Sequence, residues 1–433
     1  MSFFPPMSAP IVIVGAGVAG LVCARQLQAA GRDVLLLERE AEVGGRVRSR
    51  RLDGFTLDRG FQVAFEAYPT LARHVDYAAL DMRWFQPAGR VCRAGRAPAL
   101  VGDALADVSL LWPSLTQGGL SWRDLLAVLA LRREATGRTL AQCFARDVLN
   151  VRTRDFLASR GVSADGIARF FAPFYGGILL DRSLETSASV LLYTFKMLAE
   201  GRTGVPRDGM GALTAQMARA LPPAAVRCGD AVAQVLVRDG RAAGVVLASG
   251  ATVEASAVVL ATEAPALATL TASAGLRVSV PTGRRGVTTC YFASSQPVLP
   301  GRALWLNADV PATISHAVTV SEVAPEHAPA GQHLLATNSV GPAADADDAT
   351  LEAAVRRDLA AMGGRALPAD LRLLAVERVP FAQVAQPPRV EQAQLPIITE
   401  LPRLVLASEL WHSSSLEGAA QAGEAAARAL LGV

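Results

Sequence analysis

Apolar positions in the first 40 residues form two short runs separated by a stretch with helical spacing. Residues 11–14 (IVIV) and 34–37 (VLLL) have the length and the branched side chains of buried strands. Residues from about 18 onward repeat apolar side chains with the period of an α-helix, and glycines precede them. The pattern predicts a strand, a glycine-rich turn, a helix and a second, parallel strand.

The rest of the chain alternates between strand-like and helix-like patterns. Arg238-Asp239-Gly240 between two apolar runs predicts a β-hairpin. Gly363-Gly364-Arg365 follows a helical pattern and predicts a helix C-cap. The other predicted strands are 231–237, 243–247, 257–261, 287–292, 303–306, 316–320 and 404–407, and the predicted helices are 122–133, 187–199, 210–221, 350–362 and 416–431.

Each glycine of the first turn has a task in binding a dinucleotide. Gly15 permits the tight turn, Gly17 lets the backbone approach a pyrophosphate, and Gly20 lets the helix lie close to the strand. The N-terminus of the helix directs N–H groups and partial positive charge at the phosphates. Glu38 ends the second strand, where it is positioned to accept hydrogen bonds from a ribose diol. These residues together predict a dinucleotide site.

A second glycine pair after Glu38 favours FAD over NAD. Gly44 and Gly45 allow another close backbone approach, and Arg46 offers a charged fork to the same pyrophosphate. A surface turn with an arginine is the alternative interpretation, but this turn falls where the phosphates must lie. We find no second strand–GxGxxG–helix unit, so the sequence gives no separate NAD(P)H domain.

Five blocks of sequence resemble one family of flavoproteins. The first two are VGAGVAGL with LLERE, and GGRVRS. The others are residues 58–62 (DRGFQ), residues 206–213 (PRDGMGAL), and Glu409 followed by residues 415–419 (SLEGA). The chain thus resembles the flavin amine oxidase superfamily, which includes monoamine and polyamine oxidases, protoporphyrinogen oxidases and phytoene desaturases.

The resemblance implies an α/β fold with a Rossmann-like FAD-binding domain assembled from discontinuous segments and a second, mixed α+β substrate domain. We expect residues 10–72, 203–272 and 388–433 in the FAD-binding domain, and residues 73–202 and 273–387 in the substrate domain. The residues predicted to bind FAD, from the fingerprint and from the resemblance, are Gly15, Ala16, Gly17, Ala19, Gly20, Glu38, Arg39, Gly44, Gly45, Arg46, Gly60, Phe61, Gln62, Val232, Glu409, Ser415, Leu416 and Ala419.

Departures from the family pattern narrow the expected chemistry. Amine oxidases of the superfamily place a tyrosine where this chain has Ser415, and they carry a lysine near the flavin. Residues 287–291 (VTTCY) contain no lysine, and Lys196 lies far upstream. No cysteine lies near Glu409, so we expect FAD to bind non-covalently. These departures rank amine oxidation below dehydrogenation of an apolar substrate.

The substrate pocket is predicted from aromatic residues. Core packing is the alternative interpretation for the aromatic run of residues 169–177. His412 precedes the C-terminal helix and is a candidate proton acceptor, with a polar loop residue as the alternative. The predicted pocket residues are Phe171, Phe174, Tyr175, Trp305 and Trp411.

Composition excludes several other classes of protein. The net charge of +3 and the lack of a basic run argue against nucleic-acid binding. The five cysteines show no metal-ligand spacing and fit reduced thiols in the cytoplasm, so no metal is expected. No signal peptide or membrane span is apparent. Residues 120–131 (LSWRDLLAVLAL) form either a buried helix or one that contacts a membrane surface. The oligomeric state is not indicated.

The sequence thus predicts an FAD-dependent oxidoreductase that transfers a hydride from an apolar small molecule to flavin N5. Oxygen or a quinone-type molecule is the expected electron acceptor. A flavin amine oxidase is one alternative. A non-enzymatic prenyl or lipid carrier of the same fold, similar to the Rab-escort proteins, is the other, although the occupied Arg46, Glu38 and Glu409 positions favour a retained cofactor.

Overall fold

A computed structural model of the chain describes residues 9–117, 119–280, 283–389, 395–411 and 413–432. In chain order, the strands are β1 (Ile11–Val14), β2 (Val34–Glu38), β3 (Ser49–Leu52), β4 (Phe55–Asp58), β5 (Ala64–Phe65), β6 (Arg83–Trp84), β7 (Ala88–Cys92), β8 (Ala99–Gly102), β9 (Thr203–Val205), β10 (Val226–Cys228), β11 (Val232–Arg238), β12 (Arg241–Leu247), β13 (Thr252–Glu254), β14 (Ala257–Leu260), β15 (Arg284–Ser294), β16 (Leu304–Asn307), β17 (His316–Thr319), β18 (His333–Val340), β19 (Arg372–Val384) and β20 (Leu404–Leu406).

Helices pack on the sheets, and eight of them make up most of the described chain between β8 and β9. A π-helical turn over Ile167–Phe171 lies directly before the α-helix Ala172–Ile178. The helices are α1 (Val18–Ala29), α2 (Leu111–Thr116), α3 (Trp122–Gly137), α4 (Leu140–Cys143), α5 (Arg146–Leu149), α6 (Thr153–Ser159), α7 (Ala164–Gly166), α8 (Ala172–Ile178), α9 (Ala188–Glu200), α10 (Gly211–Arg219), α11 (Ala264–Ser273), α12 (Val320–Val323), α13 (Asp348–Gly363) and α14 (Leu416–Leu431).

A five-stranded parallel sheet in the order β10-β2-β1-β14-β20 forms the first layer. Its strands come from three separated stretches of the chain, yet β1 and β14 are buried, because α1 and α14 pack on one face of the sheet and the antiparallel strands β11 and β12 pack on the other. The predicted strand–turn–helix–strand unit is confirmed as β1, α1 and β2. In a parallel sheet of this kind, ligands bind beyond the carboxyl ends of the strands.

A seven-stranded mixed sheet in the order β19-β15-β18-β17-β16-β7-β8 forms the second large layer. Its pairs are antiparallel except for β16 and β7. One face packs on α13, where Leu351, Val355 and Leu359 are fully buried. The opposite face is directed at the π-turn, α8 and the loop after β4.

The predicted fold class, a mixed α/β protein of FAD-domain type, is confirmed. The strands of the five-stranded sheet fall within the first group of predicted segments, and those of the seven-stranded sheet fall within the second. The boundaries at residues 72, 202, 272 and 387 stay predictions.

Turn chemistry follows the local sequence closely. Asp239 and Gly240 have φ values of 48° and 69° and connect β11 to β12, as predicted for an Asp-Gly hairpin. Gly364 has a φ of 61° and caps α13, as predicted from the second GGR. Among the described residues, no helix is both long and apolar enough to cross a membrane.

Candidate cofactor and substrate site

A large cavity of about 1700 Å³ opens at the carboxyl ends of the parallel strands. Val14, Leu37 and Ala261 line it on the side of the five-stranded sheet, and Leu304 and Asn338 line it on the side of the seven-stranded sheet. A typical small-molecule pocket has a volume of roughly 300–1000 Å³. The cavity therefore has room for a dinucleotide and a substrate together.

The first turn forms the phosphate-binding end of the cavity. Gly15 has a φ of +102°, and Gly17 caps α1 without contributing a side-chain hydrogen bond. A Cβ added to Gly17 would meet no atom of the described residues within 4 Å. Gly44, with a φ of +119°, and Gly45, with a φ of +59°, line the same end. The end of the helix thus presents unpaired N–H groups to open space.

The carboxylate of Glu38 is held in place by backbone N–H groups. Its Oε2 accepts from Ala16 N at 2.8 Å, and its Oε1 accepts from Glu40 N at 3.0 Å. Glu38 is 6% exposed and still lines the cavity. Each carboxylate oxygen has a second lone pair, so a bound hydroxyl can still donate to it.

Arg46 is paired with Glu409 across the cavity wall. Its Nη2 lies 2.7 Å from Glu409 Oε2, and its Nη1 donates to Ala382 O at 2.7 Å. Sequence analysis predicted that Arg46 binds the pyrophosphate and that Glu409 also binds FAD, without foreseeing this pair. The ion pair joins the loop after β2 to the turn after β20, so it fixes the two halves of the site relative to each other.

Residues 60–62 cross the middle of the cavity. Gly60 has a φ of +79°, and Phe61 N donates to Thr289 Oγ1 at 3.1 Å. Gln62 Nε2 donates to the carbonyl oxygens of Arg46 and Arg59 at 2.7 and 3.0 Å. The segment is thereby tied both to the seven-stranded sheet and to the loop that carries Arg46.

The N-terminus of α14 reaches the cavity at Leu416 and Ala419. Ser415 caps the helix and accepts from Gly418 N at 2.9 Å. A Cβ at Gly418 would lie 1.9 Å from Ser413 O, so this glycine serves close packing of the loop on the helix.

Most of the predicted cofactor residues are brought together on one surface. Ala16 and Gly20 lie behind it, where Ala16 N holds Glu38 and Gly20 packs against the Gly15 carbonyl. The predicted residues that line the cavity are Gly15, Gly17, Ala19, Glu38, Arg39, Gly44, Gly45, Arg46, Gly60, Phe61, Gln62, Val232, Glu409, Ser415, Leu416 and Ala419.

Two of the predicted substrate residues line the cavity. Phe174 and Tyr175 do so, together with Phe170, which stacks on Phe174 at 5.6 Å between ring centroids. Apolar residues of α2, α3 and α9 continue this wall. Apolar side chains make up most of this wall, although Arg132 and Asp103 form an ion pair within it, so this part of the cavity suits a largely apolar ligand.

Three predicted pocket residues are not among those lining the cavity. Phe171 is completely buried and stacks on Tyr175, because a one-residue step around a helix turns a side chain away from its neighbour's face. Trp305 is on the face of β16 opposite to Leu306, packed in the core with α13, because side chains alternate along a strand. Trp411 lies in a 3-10 turn over Glu409–Trp411, and His412 lies outside the described residues.

Sequence reasoning missed His316 and Asn338, which line the cavity from adjacent strands. Burial and, to a smaller extent, the nearby positive charge of Arg182 together lower the pKa of His316 to about 4. His316 is therefore neutral near pH 7. The signal for Asn338 was a polar residue inside an apolar strand (HLLATNSV), since a buried polar side chain usually has a specific partner.

Three features are typical of proteins that bind a dinucleotide beside an apolar ligand. They are the parallel sheet, the glycine turn before a helix that has no side-chain cap, and the adjoining apolar chamber. A sequence model described as flavin containing amine oxidoreductase matches residues 18–431. The chain belongs to this family of flavin-containing oxidoreductases.

Named relatives cover different parts of the chain. It is similar to a coproporphyrinogen III oxidase of Propionibacterium freudenreichii subsp. freudenreichii, with 31% identity over 39% of this chain and 31% of that protein. A zeta-carotene-forming phytoene desaturase of Myxococcus xanthus is 27% identical over 59% of this chain and 53% of that protein. The chain thus matches about a third and about half of these relatives' lengths.

A solved structure matches over almost the whole chain. The crystal structure of an oxidoreductase from Methanosarcina mazei has a TM-score of 0.74 and 18% sequence identity, and the match covers 96% of this chain and 99% of that one. At this identity the likeness concerns the fold. The description of the family supports a flavin cofactor.

Proposed function

We propose that this chain binds FAD non-covalently and removes a hydride from an apolar small molecule, with oxygen or a quinone-type molecule as the final electron acceptor. The observation that carries the proposal is the single continuous cavity, which joins the glycine turn of α1 to an apolar chamber. A bound flavin supplies hydride acceptance at N5, and the chain supplies binding, orientation and exclusion of water.

The residues at the phosphate end fit a dinucleotide. Gly17 leaves open space where a methyl group would stand, and the N-terminus of α1 has no side-chain cap. Glu38 is already oriented by Ala16 N and Glu40 N, so a ribose hydroxyl meets a preformed acceptor. Val232 begins β11 at the same end and would cover the adenine side.

The other half of the site is supplied by the Arg46–Glu409 pair and α14. Glu409 keeps a fixed position through its 2.7 Å ion pair and can accept from a ribityl hydroxyl. Ser415 Oγ accepts from Gly418 N, and Ala419 N donates to Ser415 O. The N–H groups of Leu416 and Glu417 precede these bonds at the start of the helix. They would stabilise negative charge near them.

Non-covalent attachment is supported by where the cysteines lie. Cys23, Cys92, Cys143 and Cys290 are buried, and Cys228 is exposed at the end of β10. None of these five is among the residues that line the cavity in the described parts of the chain. A cysteine thioether to the flavin is therefore disfavoured.

Amine oxidation remains the second candidate, because the family carries that chemistry in its description. Lys196, the one lysine of the chain, is buried on α9 and donates to Thr136 O and to Glu200. Ser415 stands where the amine oxidases place a tyrosine. Both observations favour an apolar substrate over an amine.

We also propose that the substrate enters from a lipid surface. Eight of the eleven large apolar side chains exposed in the described part of the chain lie between residues 105 and 129. Six of these eight also line the cavity, so the exposed patch and the apolar chamber are continuous. We call this the entrance patch; it consists of Leu105, Val108, Leu111, Trp112, Leu115, Trp122, Leu126 and Leu129.

Charge around the entrance patch fits a bilayer better than a second protein of mixed charge. Arg123 and Arg133 are exposed on α3, whereas Asp124 is buried as a partner of the helix cap and Asp103 is paired with Arg132. Tryptophan and arginine at the edge of an apolar surface are typical of helices that lie in the interface of a membrane.

Cofactor binding is tested on the purified protein by its visible absorbance and by uptake of FAD and FMN after the flavin has been removed. We expect FAD to bind much more tightly than FMN, because FMN lacks the adenosine that reaches Glu38 and Val232. Acid precipitation should release the flavin into the supernatant. A correctly folded protein that takes up neither flavin would contradict the proposal.

Substrate class is tested by anaerobic bleaching of the bound flavin with porphyrinogens, quinols, polyenes and amines. We expect bleaching by at least one apolar compound and slow or no bleaching by amines. Rapid reduction by an amine alone would replace the proposal with amine oxidation.

A further inference from the structure

Three polar side chains form a row across the cavity face of the seven-stranded sheet. Thr289 on β15, Asn338 on β18 and His316 on β17 are paired directly in register. Residues paired in this way on antiparallel strands point to the same side of the sheet. Thr289 and Asn338 are completely buried and His316 is 6% exposed, although apolar residues dominate the surrounding wall.

Hydrogen bonds fix the orientation of the Asn338 amide. Phe61 N donates to Thr289 Oγ1 at 3.1 Å, and the Thr289 hydroxyl donates to Asn338 Oδ1 at 2.7 Å. The NH₂ group of Asn338 is thereby turned away from Thr289. Its Nδ2 is buried and has no partner among the described residues. A buried N–H group without an acceptor is costly, so such a group is usually satisfied by a ligand or water.

His316 completes the row as an uncharged group. Its ring packs on Gly177, where an added Cβ would lie 2.4 Å from Nδ1, and meets Phe61 edge-on at 5.6 Å. Nδ1 also has no partner among the described residues. The guanidinium of Arg182 lies nearby but donates to the carbonyl oxygens of Asn307, Ile314 and Asp309. The row therefore offers neutral hydrogen-bonding groups in a weakly positive surrounding.

We infer that Asn338, oriented by Thr289 and flanked by His316, binds a neutral hydrogen-bond acceptor such as a carbonyl oxygen on the otherwise apolar substrate. The inference rests on the proposed function and narrows its substrate class. A pure hydrocarbon would leave the Asn338 amide unpaired, and a cationic amine would bring a further positive charge toward Arg182. We therefore do not expect Thr289, Asn338 and His316 to favour either a hydrocarbon or a cationic amine.

The test compares two ligands that share a carbon skeleton. Menadione carries two carbonyl oxygens, and 2-methylnaphthalene carries none. Each is titrated into the FAD-loaded protein in its oxidised state, and the change in flavin absorbance gives the Kd. We expect menadione to bind about tenfold more tightly or better, and Asn338→Leu to abolish this preference while 2-methylnaphthalene binds as before.

Two further variants keep the test informative if Asn338→Leu does not fold. Thr289→Val removes the hydroxyl that orients the amide and should reduce the preference for menadione. Thr337→Val changes another completely buried threonine, one residue along from Asn338 on β18 and facing the other side of the sheet, and should leave the preference unchanged. All variants are checked for FAD occupancy and Tm.

Three results would overturn the inference. One is equal affinity of the wild-type protein for both ligands, and another is an unchanged preference in both Asn338→Leu and Thr289→Val. The third is a shifted flavin spectrum in ligand-free Asn338→Leu with the preference intact, which would assign the amide to the cofactor. Failure to take up FAD would be seen before any titration and would count against the proposed function instead.

Discussion

The three glycines of the first turn are required for different physical reasons. Gly15 has a φ of +102°, in a region that favours glycine, and its added Cβ would also lie 2.6 Å from the Ala261 carbonyl oxygen. A Cβ at Gly20 would lie 1.9 Å from the Gly15 carbonyl oxygen, so this glycine sets the distance between α1 and β1. Gly17 meets nothing within 4 Å and is therefore free of any packing demand in the protein itself.

This difference predicts opposite behaviour of two similar substitutions. Gly17→Ala should leave the Tm of the flavin-free protein almost unchanged and weaken FAD binding by at least about tenfold, because the methyl group occupies the approach of the pyrophosphate. Gly20→Ala should lower the free energy of unfolding of the flavin-free protein by about 1–3 kcal/mol, since a packed backbone must move. Thermal unfolding and FAD titration of both variants separate the effects. Equal loss of stability in both would show that Gly17 has a structural role.

His316 predicts a pH dependence of stability. Its pKa is about 4 in the folded protein, below the ordinary value of 6.5, because it is buried near Arg182. Between these two values the unfolded chain binds a proton that the folded protein does not, so stability falls as the pH falls from about 6.5 towards 4. We expect His316 to make the flavin-free protein about 2 kcal/mol less stable at pH 5 than at pH 7.

His316→Gln should flatten that part of the pH profile. Denaturant unfolding of both proteins at pH 5, 6 and 7 measures the difference, and His333, which is partly exposed, provides a His333→Gln control. The same slope in wild type and His316→Gln would contradict the assignment.

At the scale of elements, α14 is held against α1 and the loop before β6 by small and charged residues. Glu417 is completely buried and accepts from Thr70 N and Leu71 N at 2.9–3.0 Å. Glu424 bonds to Arg73 and His74. These contacts fix the N-terminus of α14 beside the cavity, so the position of the helix matters for the cofactor as well as for stability.

Close packing of α1 and α14 depends on Gly423. An added Cβ there would lie 2.4 Å from Ala19 O and 2.9 Å from Val22 Cβ. Gly423→Ala should destabilise the protein by about 1–3 kcal/mol and also weaken FAD binding, because α14 must shift from α1, which carries the phosphate turn. Gly363→Ala is the matched control, since its Cβ would meet no atom nearer than 3.7 Å. Chemical denaturation and FAD titration measure both effects; a Gly423→Ala protein as stable as the control would refute the packing argument.

At the scale of the whole molecule, the entrance patch and the cavity form one apolar path from the surface to the row of Thr289, Asn338 and His316. α3 shows how the path is built. Its residues Ala127 and Leu131 are buried against the protein, whereas Trp122, Leu126 and Leu129 are exposed. The helix thus has one buried face, as one interpretation of residues 120–131 predicted, and contact of its exposed face with a membrane stays a prediction.

The path predicts binding to lipid vesicles. Trp112→Ser, Trp122→Ser and Leu126→Ser combined should reduce sedimentation of the protein with vesicles of phosphatidylcholine and phosphatidylglycerol at least about tenfold, because apolar burial drives such contacts. Ile398→Ser removes a side chain that is 67% exposed outside the entrance patch and should have no effect. If wild type does not sediment, or if both variants behave alike, the lipid surface is the wrong partner.

Local patterns predicted the first strand–helix–strand unit, the hairpin and several of the longer helices, but missed the long strand β19 and predicted the pocket less well. The glycine turn, the Asp239–Gly240 hairpin and the Gly364 cap were predictable because each depends on a few neighbouring residues. Trp305 was assigned to the pocket from its size alone, but its side depends on the register of β16 against β17. Asn338 and His316 were missed, since a single polar residue in a strand does not indicate a site until strand pairing places the two side by side.

The sequence by itself determined the phosphate turn, the family and the need for a flavin, because those signals are carried by consecutive residues whose backbone conformations are local. The tertiary structure decided the rest. It paired Arg46 with Glu409 and aligned Thr289, Asn338 and His316 across three strands, and it left the entrance patch uncovered at the mouth of the cavity. Contacts between residues tens to hundreds of positions apart depend on sheet order and register, which no stretch of the chain encodes alone.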